Sequence, residues 1–241
     1  VEILQQQVPR LLGRAILPVE KPGHAGGTIL LFNYLVEQGR AGHGDKVVTF
    51  LVTTRGVASG PAATLGLVRH MISPPGRASD ELAFPGWSGH WLRPADDHID
   101  LALLPFAHLD NHARRKGWTW DTQQVTDGML PKPGEQLSVL ADEVAVYGYE
   151  PQPATNLADR KPVLRPVSLQ LMPASTVGVA GAQTVLPGAP VVALAPRPSG
   201  YRFVVAGLAG SPIASDDGMT LRPLIPAAEI RTAAQEIFER G

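Results

Sequence analysis

The chain has 241 residues, 44% hydrophobic and 18% charged, with a formal net charge of −1. That balance describes an ordinary globular protein able to bury a sizeable core; it excludes a disordered or polybasic chain, and nothing global points to nucleic acid or membrane. Cysteine is absent, which excludes a disulfide framework, a thiolate nucleophile and a zinc ribbon.

With 25 Gly and 23 Pro spread along the chain, many turns between short strands are expected. The first predicted strands run from Leu11 to Val19, Thr28 to Val36 and Val47 to Thr53. The last two are joined by the polar, glycine-rich stretch 37–46, which suits a long hairpin loop. Further strands are predicted at Thr64–Ile72, Ile99–Phe106, Val144–Tyr149, Val163–Met172, Thr176–Val179, Gln183–Leu186, Val191–Leu194 and Phe203–Leu208. The stretch from Leu109 to Gly134 carries charges, Trp118 and Trp120 without periodicity and is read as a link between two halves, and Pro151–Pro162 as a loop. One helix is predicted, at the C-terminus: Pro226 opens it, and Ile230, Ala233, Ala234, Ile237 and Phe238 fall on one face. No apolar stretch is long enough to span a bilayer and no secretory signal opens the chain, so a cytoplasmic location is the default expectation. Short strands closed by one helix point to an all-β sandwich or double barrel, and the pattern alone does not choose between them.

Several segments carry a resemblance that does choose. Val48-Thr49-Phe50-Leu51-Val52-Thr53-Thr54-Arg55-Gly56-Val57 looks like the strand of trypsin-like serine proteases that ends in Thr-Asn-Arg-His-Val or Thr-Ala-Ala-His-Cys. Upstream, Gly27-Thr28-Ile29-Leu30-Leu31-Phe32-Asn33-Tyr34 is similar to the family's Gly-Thr-Gly-Phe-Phe-Phe-Asn strand. Downstream, Asp97-His98-Ile99-Asp100-Leu101-Ala102-Leu103-Leu104 resembles the Asp-Leu-Ala segment that carries the triad aspartate, which places Asp100 there. Val144-Ala145-Val146-Tyr147-Gly148-Tyr149 and Leu224-Ile225-Pro226-Ala227-Ala228-Glu229-Ile230 look like the family's Gly-Tyr-Pro strand end and its Ile-Pro-Ala-x-x-Ile helix start. The resemblance implies a single domain over 1–241: two antiparallel six-stranded β-barrels, about 1–115 and 116–225, and a C-terminal helix over 226–240. Composition is taken as that of a bacterial-type member.

The family's chemistry needs a serine nucleophile, a histidine to take its proton, an aspartate to orient the histidine and backbone amides for the oxyanion. At the histidine position this chain has Gly56, which cannot accept a proton. The family's Pro-Gly-x-Ser-Gly-x-Pro-Val is matched by Leu186-Pro187-Gly188-Ala189-Pro190-Val191, as if about three residues were deleted, so that Ala189 stands where the serine is expected (compared against the motif itself). In a comparable triad, loss of the serine or the histidine alone costs about a million-fold in turnover. The degenerate triad positions are therefore Gly56, Asp100 and Ala189, and Asp100 is expected to be a structural carboxylate bonded to backbone amides.

Other constellations compete. Ser211, in Ala209-Gly210-Ser211-Pro212, is a weak alternative nucleophile that could pair with His70 or His98, although a turn is the simpler reading. His108 and His112, with Asp110 between them and His98 upstream, have one-turn spacing but lack the glutamate of a zinc-protease helix, so no metal is expected. Arg114-Arg115-Lys116-Gly117-Trp118-Thr119-Trp120 mixes cations with aromatics, yet a solvated connection suits a near-neutral chain better than a nucleic-acid surface. Phe84-Pro85-Gly86-Trp87-Ser88-Gly89-His90-Trp91 has the same ambiguity. No phosphate-cradling motif is present and no cofactor is implied. The expectation is a catalytically inactive, trypsin-like domain acting as a protein or peptide interaction module; the alternative is an active hydrolase with a rearranged site.

Overall fold

The computed structural model describes residues 2–21, 24–39, 44–60, 62–66, 72–73, 81–132, 135, 144–149, 164–168, 170–172, 176–178, 186–197, 200–214 and 220–241. The chain opens with helix α1 (Glu2–Leu12) and runs through β1 (Ile16–Lys21), β2 (His24–Glu37), β3 (Lys46–Thr53), the short α2 (Arg55–Ala58), β4 (Ala62–Gly66), β5 (Ile72–Ser73), β6 (Glu81–Pro85) and β7 (Ala102–Pro105). Helix α3 (Ala107–Lys116), β8 (Thr119–Trp120) and β9 (Val125–Thr126) follow. The second half holds β10 (Val144–Tyr149), β11 (Leu164–Ser168), β12 (Gln170–Met172), β13 (Thr176–Gly178), β14 (Pro190–Arg197), β15 (Gly200–Ala209), β16 (Ile213–Ala214), β17 (Thr220–Pro226) and helix α4 (Ala227–Arg240).

The protein is mostly β, with antiparallel sheets and a C-terminal helix. One sheet has the order β6-β4-β1-β2-β3-β7, with β9 returning to pair with β2 in parallel. The other has the order β11-β10-β14-β15-β17-β13-β12, with β16 against β17. Along the central strands of the first sheet both faces are buried. Because strand side chains alternate, Leu30 and Phe32 of β2, Phe50 and Val52 of β3 and Leu103 of β7 enter one core, while Ile29, Leu31, Leu51 and Leu104 enter the other. That is why these strands read in sequence as unbroken apolar runs rather than as alternating ones. The first core is shared with Val192, Leu194, Val205 and Leu208 of the second sheet and with Ile230, Ala233, Ala234 and Ile237 of α4. Burying each of these Val, Leu and Ile side chains is worth about 1.5–3 kcal/mol, so α4 joins the two sheets mainly by packing. A salt bridge adds direction: Arg231 Nε lies 2.6 Å from Asp127 Oδ1, and Asp127 Oδ2 accepts the Leu35 amide at 3.2 Å.

Three expectations change. Leu11 and Leu12 belong to α1, not to a strand, and the first strand begins at Ile16. This helix was hidden because, of the residues whose burial is described, it sinks only Val8 and Leu12, one turn apart, and carries Pro9. The stretch after Leu109 likewise contains α3, which among its residues of described burial sinks only Leu109 and Ala113 and stops at Gly117, whose φ of +68° puts it in the left-handed region and whose N–H bonds back to the helix. The strand expected over Ile99–Phe106 is confined to Ala102–Pro105. Most of the expected Gln183–Leu186 strand, part of the 37–46 loop and all of Pro151–Pro162 lie outside the described residues.

Candidate functional site

β3 ends at Thr53, and Thr54 caps the four-residue helix α2 by accepting the Val57 amide on Oγ1 at 3.3 Å. This cap turns Arg55 and Gly56 toward the segment that precedes β7. There the Asp100 carboxylate accepts three bonds: the Arg55 amide on Oδ1 at 3.0 Å, and the Ser211 hydroxyl at 3.0 Å and amide at 3.3 Å on Oδ2. The Arg55 guanidinium fixes the same segment from outside, donating to the Asp97 carbonyl at 2.8 Å, the Asp96 carbonyl at 3.0 Å and Asp97 Oδ1 at 3.1 Å. Gly56 is exposed beside this group. A Cβ at Gly56 would stand 3.1 Å from Ser211 Oγ, so the hydroxyl lies where a larger side chain would begin. Gly56, Asp100 and Ser211 therefore come together.

Ala189 lies on a different wall. The turn before β14 is sealed against the first sheet: the Thr28 amide donates to the Pro187 carbonyl at 2.8 Å, and Gly188 N–H to the Ala209 carbonyl at 2.8 Å. Ala209 N–H returns a bond of 2.8 Å to the Ala189 carbonyl. Gly188 has φ +85°, and a Cβ on it would lie 2.1 Å from the Thr28 carbonyl oxygen and 2.5 Å from Thr53 Oγ1. Ala189 is fully buried. At this turn there is neither a polar side chain to attack a carbonyl nor a Gly188 amide free to hold an oxyanion.

The histidines considered in the sequence do not join the group. His98 has an exposed side chain, and its backbone amide bonds Asp96 Oδ1 at 2.8 Å; His70 lies outside the described residues. His108 meets the His90 ring at 5.8 Å between centroids, whereas His112 meets Trp118 at 5.9 Å. Among the described residues no three His, Asp or Glu side chains gather where a metal ion could sit.

The aromatic clusters go to the core. Trp87 and Trp91 are buried edge to face at 5.0 Å, and Trp87 Nε1 donates to the Val57 carbonyl at 2.9 Å, bracing α2 from below. Trp118 and Trp120 pack against the same core, and Arg114 is held by Asp110 one turn earlier at 2.8 Å. What sequence reasoning missed is that Ser211 pairs with Asp100. The two are 111 positions apart, and no local pattern links them.

No family model matches the chain, and no curated protein matches it. Among solved structures the chain is similar to one titled "Atomic resolution structure of HBP", a heparin-binding protein and trypsin-like serine protease homologue. The identity is 14% over 88% of this chain and 86% of that one, with a TM-score of 0.46.

Proposed function

We propose that the protein is a catalytically inactive, trypsin-like domain, its two sheets forming the walls of two barrels, that works as a protein- or peptide-binding module. The observation that carries this reading is the environment of Asp100: its carboxylate is engaged by the Ser211 hydroxyl and two backbone amides, and the residue beside it is Gly56. A general base must lie within about 2.6–3.2 Å of the hydroxyl it deprotonates. The group within that reach of the Ser211 hydroxyl is the Asp100 carboxylate at 3.0 Å, itself held by two backbone amides, and among the described residues no imidazole stands beside the serine to raise its nucleophilicity. The buried Ala189 turn supports the same conclusion from the other wall.

The test of inactivity is intact mass after treatment with a fluorophosphonate serine-hydrolase probe beside an active trypsin-like control. An unchanged mass is expected, and a stoichiometric adduct mapped to Ser211 would replace the proposal with an active hydrolase. The test of the module is anisotropy of labelled peptide libraries at high protein concentration. Saturable binding without cleavage is expected, and no binding would reduce the domain to a structural unit.

A further inference from the structure

The segment 93–100, which leads into β7, lies over the molecule as a strap. Only Pro94 of it is buried; Arg93, Ala95, Asp96, Asp97 and His98 are exposed, and Ile99 and Asp100 are half-buried. Side chains of two helices hold it by its backbone. From α4, the Glu236 carboxylate accepts the Ala95 amide at 3.0 and 3.3 Å, and Arg240, which pairs with Glu236 one turn away, donates from Nη1 to the Arg93 carbonyl at 3.4 Å. From α2, the Arg55 guanidinium donates to the Asp96 and Asp97 carbonyls. Strap positions 93 and 95 therefore meet helix positions 240 and 236, so the strap runs antiparallel to α4 and ends on the carboxylate that gathers Arg55 and Ser211. A second α4 carboxylate works against this grip. Burial and then the Asp96 charge hold the Glu229 carboxyl above its ordinary pKa, so the ionised pair repel each other. Exposed backbone bonds over one buried residue mark a unit that opens well below the cost of global unfolding.

We infer that the strap is a conformational latch through which α4 sets how firmly Asp100 holds Ser211 beside Gly56, with Glu236 tightening it and Glu229 loosening it. When the strap lifts from α4 it carries Asp100 with it, and the Arg55 and Ser211 amides lose their common acceptor. Glu236 is thus a positioning residue, acting on Ser211 through Ala95 and Asp100. The latch goes beyond the interaction-module reading and does not rest on it.

Amide hydrogen exchange of the full chain, resolved by residue with NMR, tests the latch. The Leu31 amide, bonded to the Ala15 carbonyl in the buried first sheet, serves as the reference for global unfolding. Glu236→Ala is expected to speed exchange at Ala95 about tenfold, the factor carried by one hydrogen bond to a charged group. It should also speed exchange at Arg55 and Ser211 at least about threefold, beyond any change at Leu31. Glu236→Gln, which keeps an acceptor oxygen for Ala95, should restore most of the protection at Arg55 and Ser211. Glu229→Gln removes the repulsion and should slow exchange at the same two amides. Gln235→Ala, at an exposed α4 position whose side chain bonds Glu239, is the control and should leave them unchanged. Faster exchange at Ala95 alone, or changes at Arg55 and Ser211 that only keep step with Leu31, would overturn the latch. Faster exchange at those two amides in Glu229→Gln would overturn the loosening role of Glu229.

Discussion

The replacement Gly188→Ala tests whether the turn before β14 is sealed as described. An alanine at φ +85° carries the left-handed penalty of about 1–2 kcal/mol. Its Cβ would also lie 2.1 Å from the Thr28 carbonyl oxygen and 2.5 Å from Thr53 Oγ1, both below the 3.0 Å that real Cβ contacts essentially never breach. Thr28 cannot simply yield, because its carbonyl also accepts Thr53 Oγ1 at 2.7 Å inside the sheet. The turn must draw back instead, which stretches the Thr28 N–H bond to Pro187 and the Gly188 N–H bond to Ala209. Each buried group left unsatisfied costs about 1–3 kcal/mol, so two such groups and the backbone penalty together cost about 3–8 kcal/mol. Gly60→Ala is the control, since its φ is +101° but nothing lies within 4 Å of its Cβ, and it should show the backbone penalty alone. Urea unfolding with a shared m-value reads both variants. If Gly188→Ala loses no more stability than Gly60→Ala, the turn is not seated on Thr28 and the closed-wall reasoning fails.

Glu229 has its carboxyl pKa raised, first by burial and then by the Asp96 charge, and these outweigh the favourable helix N-terminus on which it sits. A raised carboxyl favours the folded state below the ordinary glutamate range, and that advantage is lost as pH rises through the folded-state value. Glu229→Gln should therefore raise Tm at neutral pH and change it little at pH values below that range, in a pH series of thermal melts. Trp87→Phe should cost about 1–3 kcal/mol in urea unfolding, because it strands the Val57 carbonyl in the second core. Ser211→Ala should cost only about 1 kcal/mol, since Asp100 keeps its amide donors, whereas Asp100→Ala strips all three bonds and should cost more; the reverse order would contradict the hub role of Asp100.

The strands were legible because the first sheet buries both faces and writes continuous apolar runs such as Thr28 to Val36. The terminal helix was legible because Ile230, Ala233, Ala234 and Ile237 mark a full stripe. Helices α1 and α3 were not, as two described buried residues one turn apart give no periodic signal. Gly117 after a polar run was the one readable trace of α3, a left-handed stop that only glycine adopts readily. In the candidate site, Gly56 and Asp100 could be placed from their neighbours along a strand and before a strand. The company they keep could not: the Ser211 hydroxyl, the Ala209 carbonyl and the Arg222 guanidinium reach the site through pairings between distant strands, which leave no local pattern.

Those distant contacts also bear on how inactivity would be maintained. On the proposed reading, the absent imidazole at Gly56 and the closed turn at Ala189 are linked through one stretch of β15 and its extension. Ala209 bonds Gly188 and Ala189, Gly210 N–H bonds the Pro223 carbonyl at 2.8 Å while its carbonyl accepts Arg222 Nη1, and Ser211 fills the space before Gly56 while satisfying Asp100. A histidine placed at Gly56 would meet the Ser211 hydroxyl already bonded to the carboxylate that should orient it. It would also face a turn whose Gly188 amide is spent on Ala209 and whose Ala189 is buried. Electrostatic stabilisation of an oxyanion requires amides aimed at an open position, and the Gly188 amide is already committed to the Ala209 carbonyl. On that reading, inactivity is a property of how three consecutive residues tie the two walls together, and a single substitution is not expected to reverse it.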